Sequence, residues 1–389
     1  MTFRAVVLTA AGLMLAGCAT TVPGSPVADP SGVPKPDTGS YATAPRQLGA
    51  MTEKMYIAAE AFRMVEIIPL ASEVDAALRY SGRPSVGRIE TTAKMAFGDG
   101  VGTAVAGMEV GAYTSADDTA PGSTDTKSER SLVTGLFRFK DDAAARAAAG
   151  NPVIMSPDKV SGTAAPTAKT PETIPGYGDA KAYSTKTEYS SSRVGVMASG
   201  RYVLAAWTSG STDLIKKFFD LQVKALAGFV PTPVDKFATL TRADEDLLRY
   251  TLVEESPTVW ESTFSPRAFA ALSSTDTPGS FASFTATGVD RIANAGSVVY
   301  RARDAAGASK LADDFIAENT RFYPTSTTST VRGVPGGRCL SYPQYTGSKD
   351  KRTYCVVTVG RYLAEVSDMQ DARAKQALGA SYLILRQAK

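Results

Sequence analysis

The stretch "IPGYGDAKAYSTKTEYSSSRVGVMASGRYVLAAW" (174–207) has a counterpart in "VPGGRCLSYPQYTGSKDKRTYCVVTVGRYLAEVS" (334–367). Pro175-Gly176 stands 160 residues before Pro335-Gly336, and Gly200-Arg201-Tyr202 stands 160 residues before Gly360-Arg361-Tyr362, so one gapless register spans both anchors. Upstream, "LFRFKDDAAARAAA" (136–149) aligns with "VYRARDAAGASKLA" (299–312) at a shift of 163. Downstream, each Gly-Arg-Tyr segment runs into an amphipathic stretch, residues 213–226 and 371–383. A repeat of this length organises the whole chain and is read before any local feature.

Each copy reads in one order. Apolar alternation predicts a strand over Leu132 to Phe139 and over Val298 to Ala302. An acidic start followed by Ala-rich sequence predicts a helix whose carboxylates sit at its N-terminus. The Pro-Gly pair then opens a strand around Ala180 to Tyr183, or Cys339 to Tyr342. Val194 to Ser199 and Tyr202 to Thr208 follow as two strands joined through Gly200, a residue that tolerates the positive φ of a hairpin turn. With its closing helix each unit is β-α-β-β-β-α, an α+β arrangement with antiparallel sheets. Pro231-Thr232-Pro233 marks the boundary, giving an N-terminal α+β domain over 47–230 and a C-terminal one over 234–389. The preceding segments, 47–130 and 234–295, look helical in part and are less alike, so no homology is drawn between them.

Before the repeats, Arg4 and the apolar run from Ala5 to Gly17 have the length of a signal peptide, too short to span a bilayer. Leu15-Ala16-Gly17-Cys18 resembles a bacterial lipobox, in which the cysteine thiol is lipidated and becomes the first mature residue. The alternative is an ordinary secretory signal with an incidental cysteine. On the first reading residues 1–17 are the signal peptide, and a diacylglyceryl group on Cys18 is an essentially permanent anchor. The following residues, through position 46, are rich in Pro, Gly, Ser and Thr and read as a disordered tether with an end-to-end distance of roughly 30 Å. The expected location is the extracytoplasmic face of the cell membrane.

Export decides how the two remaining cysteines are read. In the repeat register Cys339 and Cys355 take the places of Asp179 and Gly195, on strands expected to be neighbours, and export allows their oxidation to a disulfide. Two free thiols acting as a redox or metal pair is the alternative, and the spacing is wider than such sites use.

The chain has no histidine among 389 residues, which removes Ser-His-Asp and Cys-His catalysis and histidine-ligated metal sites. Ser156-Pro157-Asp158-Lys159 fits Ser-x-x-Lys only formally, since no Lys-Thr-Gly follows. "FGDGVG" (97–102) lacks the Gly-Lys-Ser/Thr ending of a phosphate loop and reads as a turn. Asp117-Asp118, Asp244-Glu245-Asp246 and Asp313-Asp314 lack calcium-loop spacing and read as helix starts or solvated faces, and Trp207 and Trp260 as core residues. With 42 basic against 39 acidic residues and no basic block, the charge pattern argues against nucleic acid. No cofactor and no metal are expected.

Taken with the lipobox and the Pro-rich segment, "GMEVGAYTSADD", "LFRFKDDAAARAAA", "GVDRIANAGSVVYRARDAA" and the two Gly-Arg-Tyr segments resemble a family of actinobacterial lipoproteins of mycolic-acid bacteria, defined only by a domain of unknown function. The resemblance covers about residues 47–389 and implies a cell-envelope location without supplying catalytic residues. The expectation is a non-enzymatic binding or interaction protein, anchored in the membrane, with an envelope protein, lipid or cell-wall component as partner. The alternatives are a lipid or small-molecule carrier with an apolar cavity, and a histidine-free hydrolase.

Overall fold

Apolar alternation along the repeated segments becomes two antiparallel sheets with one strand order. The computed structural model describes residues 32, 34–121, 123, 130–158, 167–187, 190–254, 258–345 and 347–388. The fold is that of Lys35–Lys389, which forms one compact unit. Cys18 lies outside the described residues.

The first half runs α1 (Glu53–Val65), α2 (Ala71–Val74), β1 (Tyr80–Ser81), β2 (Ser85–Gly87), α3 (Glu90–Phe97), α4 (Asp99–Ala104), β3 (Val110–Asp117), β4 (Ser131–Arg138), α5 (Asp142–Ala149), β5 (Thr170–Ile174), β6 (Tyr177–Lys186), β7 (Ser191–Ser199), β8 (Tyr202–Thr208) and α6 (Thr212–Leu226). The second runs α7 (Glu245–Leu248), β9 (Ser262–Phe264), α8 (Pro266–Ser273), α9 (Thr277–Thr287), β10 (Arg291–Asn294), β11 (Val298–Arg301), α10 (Ala305–Phe322), β12 (Thr327–Thr330), β13 (Arg338–Pro343), β14 (Lys351–Val359), β15 (Tyr362–Asp368) and α11 (Asp371–Leu385).

The sheets read β3-β4-β8-β7-β6-β5 and β10-β11-β15-β14-β13-β12, with β1 and β2 on the β3 edge and β9 on the β10 edge. The duplicated unit is therefore larger than its sequence signal. It includes the edge strands β5 and β12 and, upstream, a short strand, two helices and β3 or β10, although segments 47–130 and 234–295 share no visible pattern. Gly200 and Gly360 hold equivalent hairpins at φ 55° each. Asp141 and Asp304, the acidic helix starts, accept hydrogen bonds from the backbone of Ala144 and Gly307 as N-caps of α5 and α10.

One register assignment changes. Cys339 faces Cys355 directly across β13 and β14, whereas Gly195 faces Ala182 across β6 and β7. The first-half counterpart of Cys339 is thus Ala182, three residues beyond the expected and exposed Asp179. The physical cause is the turns: Pro175-Gly176 forms a two-residue hairpin joining Ile174 to Tyr177, while Pro335-Gly336 sits in a longer loop before β13. A compensating difference in the next hairpin restores the shift of 160.

Each sheet has two apolar faces, because successive side chains alternate sides. One face lies under the helix that follows β4 or β11 and is called here the opening face; the other lies under the terminal helix and is the closing face. In the first half Phe137, Tyr183 and Val203 point to the opening face under α3, α4 and α5, and Leu136, Ala182 and Leu204 point to the closing face under α1 and α6. In the second, Tyr300, Leu340 and Leu363 point to the opening face with α8, α9 and α10, and Val299, Cys355 and Ala364 to the closing face under α11. A single core joins the closing face of the first sheet to the opening face of the second. The halves stack in the same direction, the back of one against the front of the next, and share their middle layer. Phe62 of α1 reaches Phe264 of β9 at 4.7 Å between ring centroids, and Arg79 bonds both oxygens of Asp276 at 2.9 Å.

Residues 35–46, assigned by composition to the tether, are laid against the closing face of the second half. Pro36 is buried and abuts the bare backbone of Gly379 on α11. Gln376 donates to Asp37, Gln387 donates to the Thr43 carbonyl, and Arg46 pairs with Glu261 at 3.1 Å, both nearly fully buried. A few aromatic and hydrogen-bonding residues suffice to pin a segment whose composition alone reads as coil.

Candidate functional site

The repeat brings one set of charged residues to the same corner of each half. An acid just before the strand (Glu109, Asp290), an arginine ending the next strand (Arg138, Arg301) and the hairpin arginine (Arg201, Arg361) meet there. Arg138 Nε lies 3.1 Å from Glu109 and Arg301 Nε 2.7 Å from Asp290. Arg201 Nη2 lies 3.8 Å from Glu109 and Arg361 Nη2 3.7 Å from Asp290. Arg201 Nε donates to the Phe139 carbonyl at 2.9 Å and Arg361 Nε to the Ala302 carbonyl at 2.8 Å. The arginine of each Gly-Arg-Tyr triplet is therefore a clamp on the strand that precedes the opening helix. Arg138 and Arg301 align in the shift of 163, so this signal was present in the sequence.

What covers the corner differs. In the first half α1 supplies Glu60, 2.9 Å from Arg138 and fully buried with it. The linker after α6 closes over the pair: Thr232 N donates to Glu60 at 2.9 Å, and Arg63 donates to the Val230 carbonyl at 2.9 Å and to Thr232 Oγ1. The Phe229 ring packs edge-on to Tyr202 and beneath the Arg63 guanidinium, and the Phe237 ring lies beneath Arg138, 5.4 Å from its centroid in both arginine contacts.

In the second half Asp244 of the α7 N-cap takes the place of Glu60, 2.6 Å from Arg301, and Tyr250 packs on Tyr362 at 5.7 Å as Phe229 does on Tyr202. This corner is bordered by Pro45 and Arg46, with Arg46 N donating to the Arg249 carbonyl at 2.9 Å and Arg249 Nε to the Arg46 carbonyl at 3.3 Å. It opens as a cleft of about 590 Å³ lined by Asp244, Asp246, Arg249, Tyr250, Arg301 and Tyr362, with Pro45 and Gln387 at its rim. Burial and the neighbouring Tyr250 push the Tyr362 phenol above its ordinary range.

On the other side of residues 40–46 lies a cleft of about 550 Å³, lined by Tyr41, Arg46, Leu252, Glu254, Gln376 and Ile384 among others. Arg46 Nε donates to the Leu248 carbonyl and Nη1 pairs with Glu261, while Nη2 is buried with no hydrogen-bond partner. Burial, reinforced by Glu261, raises the Glu254 carboxyl.

A third cleft, of about 340 Å³, lies where Arg79 of the first half meets Asp276 and Arg321 of the second. Burial and the adjacent Asp276 carboxylate push Glu318 up to about 7.

The residues singled out in the sequence fall as follows. Cys339 and Cys355 form a disulfide at 2.01 Å, buried under α11 and away from all three clefts. "FGDGVG", read as a turn, is mostly helix: Phe97 ends α3, only Gly98 intervenes, and Asp99 to Gly102 begin α4, where Gly100 N donates to Asp158 at 3.2 Å and Asp158 pairs at 2.8 Å with the fully buried Lys169. Ser156 is exposed, and Lys159 lies outside the described residues. Asp244 is a helix start, while Asp313 and Asp314 lie on α10 paired with Arg338 and Lys310. Trp207 and Trp260 are half-buried and pack at the edges of the cores. Tyr250 and Arg249 carried no signal, because they lie in the segment where the halves share no pattern.

No curated protein sequence matches the chain. Among solved structures it is similar to the extracellular domain of PknH from Mycobacterium tuberculosis, at a TM-score of 0.31 and 10% identity, over 41% of this chain and 93% of that one. The N-terminal model of a domain of unknown function, DUF7373, matches residues 49–242, and the C-terminal model of the same domain matches residues 247–388. Together the matches span both halves of the repeat, and the chain belongs to the DUF7373 family.

Proposed function

We propose that this protein is a non-enzymatic binding protein of an actinobacterial cell envelope, lipid-anchored through Cys18 on the extracytoplasmic face of the membrane. On this reading the second half presents the surface formed by residues 40–46, α7 and α11 to an envelope protein or cell-wall component. The observation that carries it is the pair of open clefts flanking residues 40–46, one walled mainly by apolar groups and the other mainly by charged and phenolic side chains, beside an Arg46 nitrogen that is buried without a partner. Both clefts open to solvent and carry charged side chains, which favours surface recognition over carriage of an apolar molecule.

Fractionation tests the anchor. Wild-type protein should partition with membranes and the Cys18→Ala protein should appear in the detergent-free soluble fraction with an unchanged circular dichroism spectrum. A Cys18→Ala protein that stays with the membrane would overturn the anchoring. Cross-linking in intact cells through a photoreactive group at Glu254 tests the binding face: a discrete adduct supports it, and a pattern identical to that from a group at exposed Lys224, on the far α6, counts against it.

A further inference from the structure

Sixteen residues separate Cys18 from Lys35, the first residue of the compact unit, because residues 35–46 are laid against the second half instead of lengthening the tether. A chain of that length has a coil dimension of roughly 20–25 Å and spans at most about 60 Å when fully drawn out. With Cys18 seated in a bilayer, the part of the body around Lys35 faces that bilayer at close range. Lys35 lines a cleft of about 490 Å³ with Arg332, Asp371 and Lys375, at the first turn of α11. Thr353 of β14 donates to Asp371 and pairs with Asp368 at the end of β15, so this cleft adjoins the turn from β15 to α11 and the start of β14. Arg373 and Lys375 are paired there with Asp368 and Asp371. Lys35, Arg332, Lys349 and Lys351 are exposed and have no carboxylate partner among the described residues, against two acids without a cation, Asp37 and Asp350. Tyr345 and Met369, at the same end, are 65% and 40% exposed. At the equivalent end of the first sheet Ser191, Ser192 and Ser209 take the places of Lys351, Arg352 and Met369, so the basic and apolar character belongs only to the half that receives the N-terminal segment.

We propose that this end of the second half docks on the anionic surface of the bilayer that holds the Cys18 lipid, with its unpaired cations against lipid headgroups and Met369 and Tyr345 at headgroup depth. Cations within a Debye length of an anionic leaflet are drawn to it, and a tyrosine ring favours the membrane–water boundary. Docking in this way leaves the far end of α11 clear of the surface: Ile384, thirteen residues along the helix from Asp371, stands about 20 Å from it. The inference rests on the Cys18 anchor proposed above and adds which face the anchored body turns to the membrane.

The test reconstitutes the full-length lipidated protein in vesicles, with an environment-sensitive fluorophore at Met369→Cys or, for comparison, at Met95→Cys, a position 80% exposed on α3 of the first half. The vesicles are phosphatidylcholine and phosphatidylglycerol at about 2:1, with a doxyl-labelled lipid as quencher. Quenching at position 369 should exceed that at position 95 at least about twofold, and the difference should vanish in phosphatidylcholine alone and at about 0.5 M salt. The Lys35→Glu/Arg332→Glu/Lys351→Glu variant, with unchanged circular dichroism, should lose the difference as well; if that variant misfolds, the salt and lipid arms still decide. Equal quenching at the two positions in the anionic vesicles overturns the docking face. So does a difference that survives in phosphatidylcholine, at high salt or in the folded variant. Protein that does not float with the vesicles lacks the anchor, and the proposal falls with it, so flotation separates the two failures.

Discussion

At equivalent places on β8 and β15 the first half carries Ala205 and the second Glu365, and the surroundings change together. Ala205 packs with Phe137 and Val194 under the first half's opening helices. Glu365 accepts hydrogen bonds from Tyr300 at 2.8 Å and Tyr354 at 2.7 Å, the residues that replace Phe137 and Val194. Burial raises the Glu365 carboxyl, and burial with the adjoining carboxylate drives both phenols well above their usual range. At the other corner the asymmetry runs the opposite way. Arg138 and Glu60 are fully enclosed in the first half, and Arg301 and Asp244 stand at a solvent-lined cleft in the second. Both enclosed polar groupings therefore sit in the one layer that the two sheets share. Apolar surfaces slide over one another at little cost, whereas a buried polar network tolerates few arrangements. These groupings specify how the second half seats on the first.

The largest test of that contrast is Glu60→Leu set against Asp244→Leu. Removing Glu60 leaves the buried Arg138 with Glu109 alone and takes the acceptor from Thr232 N and Arg63, for an expected loss of about 3–5 kcal/mol. The Asp244 change, at a partly exposed pair, should cost about 1 kcal/mol. Urea unfolding measures both, and equal losses would break the comparison.

Next in size is the covalent difference. Cys339 and Cys355 are 16 residues apart, and the Cys339→Ser/Cys355→Ser double variant should lose about 2–4 kcal/mol. Hydrogen exchange should quicken in β13 to β15 and remain unchanged in β6 to β8, where Ala182 and Gly195 stand opposite without a bridge. Exchange that quickens equally in both sheets would show that the bridge does not act locally.

Glu365→Ala leaves two phenol hydroxyls without their acceptor and should cost about 1–3 kcal/mol. Installing the whole first-half set, Tyr300→Phe, Tyr354→Val and Glu365→Ala, should be less destabilising than Glu365→Ala alone. A triple variant weaker than the single one would show that the two solutions are not interchangeable.

The smallest effect concerns Glu318, on the part of α10 that extends beyond the length of α5. Its carboxyl titrates near 7 in the folded chain against an ordinary value of 4.5, so the fold binds its proton more tightly than the unfolded chain does. That contribution is fully present below about pH 4.5 and is lost as the pH rises through 7. Glu318→Gln should flatten the pH dependence of the melting temperature between pH 5 and 8, roughly the interval of its titration. An unchanged slope would assign the dependence to other groups.

The central strands were legible because their apolar positions alternate and their turns carry Gly-Arg or Pro-Gly. Tyr202–Thr208 matches its predicted bounds, and the disulfide followed from repeat, export and elimination. The edge strands were not legible. β12 is "TTST", polar on both sides because only one neighbour pairs with it and little packs on it, so no alternation marks it. Register across β6 and β13 was misplaced because turn geometry, which sequence identity at Pro-Gly does not encode, sets it. Residues 35–46 read as tether because composition averages over a segment that a few side chains hold. Half of the candidate site, Arg301 and Tyr362, lay inside the visible repeat. The other half, Arg249 and Tyr250, belongs to a helix and turn whose counterpart in the first half is the much longer α1, so no alignment pointed to them.

Stacking two halves in one direction leaves two unlike ends, as in a short solenoid, where a further repeat could in principle be added at either end. An isologous pairing would close on itself; this one does not. At the first half's end α3, α4 and α5 finish the stack, and at the second half's end α7, α11 and residues 35–48 do so. That last segment is therefore a terminal cap. A chain beginning after residue 48 would retain both sheets yet bare part of a surface of the kind that seats a neighbouring half, and light scattering should register its open-ended, concentration-dependent self-association.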